Sequence, residues 1–216
     1  MRSFPRIDAS RYSFDEFVSF LFDREISAEV DEAWYWNTDV EFDPQGMCTL
    51  YVQLFRTPEI LLKRFPKPQL EEGFWAMISG AEWSARALIE GTEIPFPSKE
   101  ECVRAMYDLF SRFFAFEPLD SSCHMWWDAM CYDWHCGNRI RERGGEDLQL
   151  QDVMFQTLAD ILFLDSQPCQ ASALHGLGHL HHPETQALVD RYIADHPSLA
   201  EPQREYALAA AKFEVL

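Results

Sequence analysis

Apolar residues recur at spacings of three and four along most of this chain, and no segment alternates at period two for more than a few residues. The stretch SKEECVRAMYDLFSRFFAF shows it best: Val103, Met106, Leu109, Phe110, Phe113 and Phe114 fall on one side of a helix. That rhythm admits helices and little else. Proline, glycine and aspartate cut it into segments, and SFDEFVSFLFDRE opens on Ser13 with Glu16 three residues later, the pattern of a capping box. TLYVQLF contains β-formers but sits more easily in a helix, and Gly91 and Gly137 close two of the helical stretches. The expectation is an all-α chain of about ten helices, forming a single domain over residues 1–216.

With 47% hydrophobic and 14% aromatic residues, the 216-residue chain can bury a sizeable core. The helix SSCHMWWDAMCYDWHC places Trp126, Trp127, Met130 and Trp134 in that core. The charge is one-sided: 36 acidic residues against 18 basic ones give a net charge of −18. Such a surface repels phosphate backbones and anionic lipid, so nucleic acid and membranes are not expected partners, whereas a basic protein is. The first residues, MRSFPRIDASRYSF, carry no apolar signal core, and no apolar run approaches the ~18 residues of a membrane span. Cys48, Cys102, Cys123, Cys131, Cys136 and Cys169 show no C-x-x-C spacing. Free thiols in the cytoplasm are the expectation.

Gln167–Pro197 reads as a helix, a tight HHPET turn with Pro183 opening the next helix, and that second helix with Leu188, Val189, Tyr192 and Ile193 inward. The order Ala173, Leu174, Leu177, Gly178, Leu180, Pro183, Ala187, Leu188, Val189 resembles the HEAT-like helical repeat. The resemblance covers residues 167–197 and implies a HEAT/armadillo-like α-α superhelix, with an irregular helical bundle as the alternative. Such repeats stack so that neighbours cover each other's apolar faces, leaving a concave surface suited to proteins or peptides. On this reading the chain is a non-catalytic binding protein that presents an acidic surface, with no catalytic residue and no cofactor.

The same stretch holds His175, His179, His181 and His182 within eight residues. At about 100° per residue, Ser172, His175, His179 and His182 form a stripe opposite Ala173, Leu177 and Leu180. A four-residue spacing suits two histidines sharing a metal, but the motif lacks the H-E-x-x-H glutamate and a third ligand. Certain HEAT-like proteins, the deoxyhypusine hydroxylases, bind iron through His-Glu dipeptides, and this chain has none. The stripe is therefore expected to hold no tight metal and to line an outer face or pack against a neighbouring helix.

A second stripe, His124, Asp128, Cys131 and His135, occupies about 60° of its helix. One straight helix cannot wrap four ligands around one ion, so at most two adjacent members can share a metal with donors from elsewhere. His175 and His179 are the natural donors. The rival reading is thus a metal-dependent enzyme built on His124, Asp128, His175 and His179, with His135 alongside. Cys131 and Cys136 lie near histidines in sequence, which does not establish a nucleophile. Arg139 and Arg141, with Arg143, form the compact basic cluster and complete the candidate binding set, balanced by Glu142, Glu146 and Asp147.

Overall fold

A computed structural model describes residues 5–26 and 33–215. Among these residues lie ten α-helices: α1 (Phe14–Phe22), α2 (Pro44–Arg56), α3 (Lys67–Ile78), α4 (Ala85–Glu90), α5 (Phe96–Leu109), α6 (Ser122–His135), α7 (Gly145–Leu162), α8 (Gln167–Leu180), α9 (Thr185–Asp195) and α10 (Glu201–Ala211). The helical class is as the periodicity requires. Two three-residue strands, β1 (Arg6–Asp8) and β2 (Asp39–Glu41), add a short parallel pair with Ile7 opposite Val40. No helix among the described residues is long and apolar enough to cross a membrane. A single domain is the expectation from sequence; the contacts divide the chain into two compact units, Met1–Phe113 and Phe114–Leu216.

In the first unit the capping box forms: Glu16 N–H donates to Ser13 Oγ, and Ser13 N–H donates to the Glu16 carboxylate. Residues TLYVQLF lie in α2, which packs on α5. Phe17, Phe22, Tyr51, Phe55 and Phe74 are fully buried, and the Tyr51 hydroxyl reaches the Trp83 carbonyl at 3.2 Å.

The second unit is organised around α8. Its principal neighbours are α6, α7 and α10, while α9 lies on α10 and α7. Small residues permit this crowding. A Cβ on Gly176 would sit 2.4 Å from Cβ of Trp127, so α6 and α8 approach at a glycine. Ser172 Oγ donates to the Cys123 carbonyl at 2.6 Å, and Gln151 Nε2 donates to the Leu180 carbonyl at 2.8 Å, satisfying a group at the end of α8. His181 then turns the chain in the left-handed region at φ 56°. Pro183 precedes α9, which begins two residues later than Pro183 itself suggests. Trp126, Trp127, Met130 and Trp134 are buried, as their stripe implies.

Candidate metal centre

With neighbours on three sides, α8 has no outward face along its middle: every residue from Ser172 to Leu180 is buried. The histidine stripe does not line an outer face, the first of its two expected placements. His175 and His179 are 2% and 5% exposed, and His182 is 3% exposed. The stripe packs a neighbouring helix instead. His175 and His179 face α6, because α6 presents the complementary stripe of His124, Asp128 and His135.

Three atoms meet at that seam. His175 Nε2 lies 3.3 Å from Asp128 Oδ1, His179 Nε2 lies 3.1 Å from the same oxygen, and the two Nε2 atoms are 3.2 Å apart. This Asp128–His175–His179 group is the set of potential ligands that converges among the described residues. The histidines are buried, while the Asp128 side chain retains 29% of its exposure, so the triangle is open on the carboxylate side. Hydrogen bonds from His175 and from His179 hold the Asp128 carboxyl well below the usual carboxylate range, against the opposing effect of burial.

The outer nitrogens are also engaged. His175 Nδ1 is 2.6 Å from the Tyr206 hydroxyl on α10, and His179 Nδ1 is 2.8 Å from His135 Nδ1. Burial, reinforced by the Asp128 charge, pushes the Tyr206 phenol up to about 12, so it keeps its proton. Two proton arrangements satisfy these contacts. In one, both Nε2–H groups donate to Asp128, and the Nδ1 atoms accept from Tyr206 and His135. This leaves two N–H donors facing each other at 3.2 Å. In the other, a cation in the triangle would take both Nε2 lone pairs, both protons would lie on Nδ1, and Tyr206 and His135 would be the acceptors. A phenol and an imidazole can play either part, so loading requires no net proton release from the two rings.

His124 is exposed at the edge of the centre, its ring 4.7 Å from that of His175. Burial first, then the neighbouring His175, lowers its basicity. It lies beside the triangle without joining it. Cys131, the remaining member of the α6 stripe, is buried, and none of the six cysteines is in a disulfide.

The rest of the candidate binding set lies elsewhere. Arg139 is tied to Asp147 at 3.1 Å and approaches Asp133 at 3.8 Å. Arg141 pairs with Asp152 and Gln151, and Arg143 approaches Asp147. The loop is neutralised internally. Asp152 also receives His182: Glu184 N–H donates to His182 Nδ1 at 3.2 Å, which leaves Nε2–H to donate to Asp152 Oδ1 at 3.0 Å. The ring lies flat on Phe155 at 4.0 Å, and burial lowers its pKa. His182 locks a turn and does not face the triangle's ligands.

Tyr206 is the participant that sequence reasoning missed, since EPQREYALAAAKF reads as an ordinary surface helix and nothing links it to a histidine 31 residues away. No family model, curated protein or solved structure matches the chain.

Proposed function

We propose that the second unit binds one divalent transition-metal ion through Asp128, His175 and His179, and that the protein is a metal-dependent enzyme. The observation that carries this is the near-equilateral triangle of donor atoms. Zinc bonds of about 2.0–2.1 Å imply ligand–ligand edges of about 3.3 Å in a tetrahedron, and about 2.9 Å when such bonds meet at right angles in an octahedron. The edges here are 3.1, 3.2 and 3.3 Å. Hydrogen bonding alone can satisfy two of the three edges but not all three at once, since the Asp128 oxygen only accepts and two Nε2–H donors cannot bond each other.

Two histidines and one carboxylate leave coordination positions open, as in catalytic rather than structural sites. The open side lies toward the partly exposed Asp128. An ion there supplies Lewis acidity to a bound water or substrate oxygen. Tyr206 and His135 position the imidazoles through their outer nitrogens, fixing ring orientation and tautomer.

In the second unit α8 touches α6, α7 and α10, helices no more than two removed along the chain, a pattern that a HEAT-like repeat stack and an irregular bundle share. The acidic surface remains the basis for expecting a basic protein partner.

The deciding experiment is elemental analysis of protein purified without a histidine tag, beside the His175→Ala/His179→Ala variant. Wild type should carry close to one zinc, iron or manganese per chain, or take one up from buffered metal, and the variant should not. Wild type that takes up none sinks the reading.

A further inference from the structure

Cys48 on α2 and Cys102 on α5 are each 1% exposed, and they meet where those two helices of the first unit pack. Cys48 Sγ donates to the Ser98 carbonyl at 3.6 Å. Within α5 that carbonyl also accepts the N–H four residues on, which is that of Cys102, so the Cys48 thiol lies over the turn that carries its neighbour. The Cys102 S–H in turn hydrogen-bonds to Cys48 Sγ. This bond holds the Cys48 thiol below its ordinary range despite burial, while the same bond, with burial, pushes the Cys102 thiol well above it.

The two sulfurs also differ in access. Cys48 belongs to the wall of a cleft of about 360 Å³, with Thr49, Val52, Arg56, Ser98 and Glu101, whereas Cys102 stands behind that wall. The charged groups of the cleft, Arg56 and Glu101, pair with each other at 2.9 Å and leave no net charge to attract an ion. A second pair of thiols supplies the contrast. Cys123 on α6 hydrogen-bonds with Cys169 on α8, and both are buried, but the cleft beside them is lined by His124, Gln170 and Ala171 and by neither thiol.

We propose that Cys48 and Cys102 form a dithiol that a small hydroperoxide oxidises to a disulfide, with Cys48 as the sulfur that reacts first and Cys102 as the one that resolves it. The oxidant class follows from the site: a sulfur at the back of a cleft without net charge admits a small uncharged molecule, whereas exchange with a bulky disulfide needs that disulfide in line with the attacking sulfur. The Cys48 thiolate attacks one oxygen of hydrogen peroxide. An S–O bond forms, the O–O bond breaks, and the leaving hydroxide takes the proton that Cys48 gave up and departs as water. Cys48 is thereby oxidised to a sulfenic acid and the peroxide reduced. The Cys102 sulfur then attacks the Cys48 sulfur: the S–S bond forms, the S–O bond breaks, and the hydroxide leaves as a second water with the Cys102 proton. Two thiols and one peroxide give one disulfide and two waters, and α2 becomes tied to α5 until a dithiol reductant reverses the reaction.

The test treats the full-length chain with hydrogen peroxide after Cys136→Ser has removed the exposed thiol, alkylates it in denaturant at intervals, and maps the cysteines by mass spectrometry. The Cys48 and Cys102 thiols should disappear together, about 10-fold faster than those of Cys123, Cys131 or Cys169, as a Cys48–Cys102 disulfide that dithiothreitol reverses. Cys102→Ser should leave a sulfenic acid on Cys48 that dimedone captures, and Cys48→Ser should leave Cys102 as slow as Cys123. The first map needs no substitution in the core, so it decides the inference even where a serine variant unfolds. A folded chain in which Cys48 and Cys102 keep their thiols, or lose them no faster than Cys123 and Cys169, overturns it. So does peroxide oxidation of Cys102 that proceeds undiminished in Cys48→Ser.

Discussion

Gly176 sets the distance between the helices that carry the proposed metal ligands, so Gly176→Ala is the sharpest perturbation of the centre that touches none of its atoms. The added Cβ would lie 2.4 Å from Cβ of Trp127 and 3.0 Å from Leu158, whereas ordinary contact begins near 3.4 Å. A tryptophan Cβ moves only with its backbone. Hence α6 and α8 must part by roughly 1 Å, and such overpacking costs ~1–3 kcal/mol. Alanine recovers about 0.8–1.0 kcal/mol as the better helix former. With a backbone-linked clash the upper end applies, and a net loss of about 2 kcal/mol is expected. The donor triangle suffers more, because metal sites tolerate errors of about 0.2 Å and the shift is several times larger. Zinc affinity should drop by about 10-fold or more, ~1.4 kcal/mol. Denaturant unfolding of the metal-free protein and chelator competition for zinc read the two effects separately. Gly178→Ala is the internal control, since the three atoms nearest its Cβ all belong to the Val215 side chain beyond α10, the first at 2.4 Å. It should leave zinc affinity unchanged. If Gly176→Ala keeps the wild-type midpoint and zinc affinity, α6 and α8 do not set the geometry of the centre.

Tyr206→Phe preserves shape but removes the partner of His175 Nδ1, and should weaken zinc binding about 10-fold with little change in helical circular dichroism; equal chelator competition by variant and wild type would remove Tyr206 from the site. The pH dependence follows from His182, whose folded pKa is lowered by burial. The unfolded chain therefore takes up the proton first, so this contribution to stability is complete above about pH 6.5 and is lost as pH falls below it. The metal-free protein should show a lower denaturation midpoint at pH 5.5 than at pH 7.5, and His182→Gln should narrow the gap; an undiminished gap in the variant would assign the effect to other groups.

The helices were legible because their apolar spacing is local information. The β1–β2 pair was not, since three residues are too few to show alternation and Ile7 pairs with Val40 across 32 intervening positions. The α6 stripe of His124, Asp128 and His135, and its complement on α8, were both readable by angle. Whether they met was not, because that depends on packing between residues 47 apart. A polar stripe read alone suggests water; His175 and His179 go inside because Asp128 supplies the partner that makes burial tolerable. The small residues of α8 were the available sign of crowding, since Ala173, Gly176 and Gly178 leave room for helices on several sides.

The ligands come from two helices, Asp128 on α6 and the histidines on α8. An ion shared between them therefore acts as a removable cross-link, adding about 2.7 kcal/mol when free metal stands at 100 times its dissociation constant. In a cell, that linkage would make the protein's lifetime follow its metal supply. Under starvation the emptied chain would open more often and meet proteases more often, so its abundance would decline with the proposed ion. Substituting Asp128 with asparagine would uncouple the two, leaving a chain whose turnover no longer responds to metal.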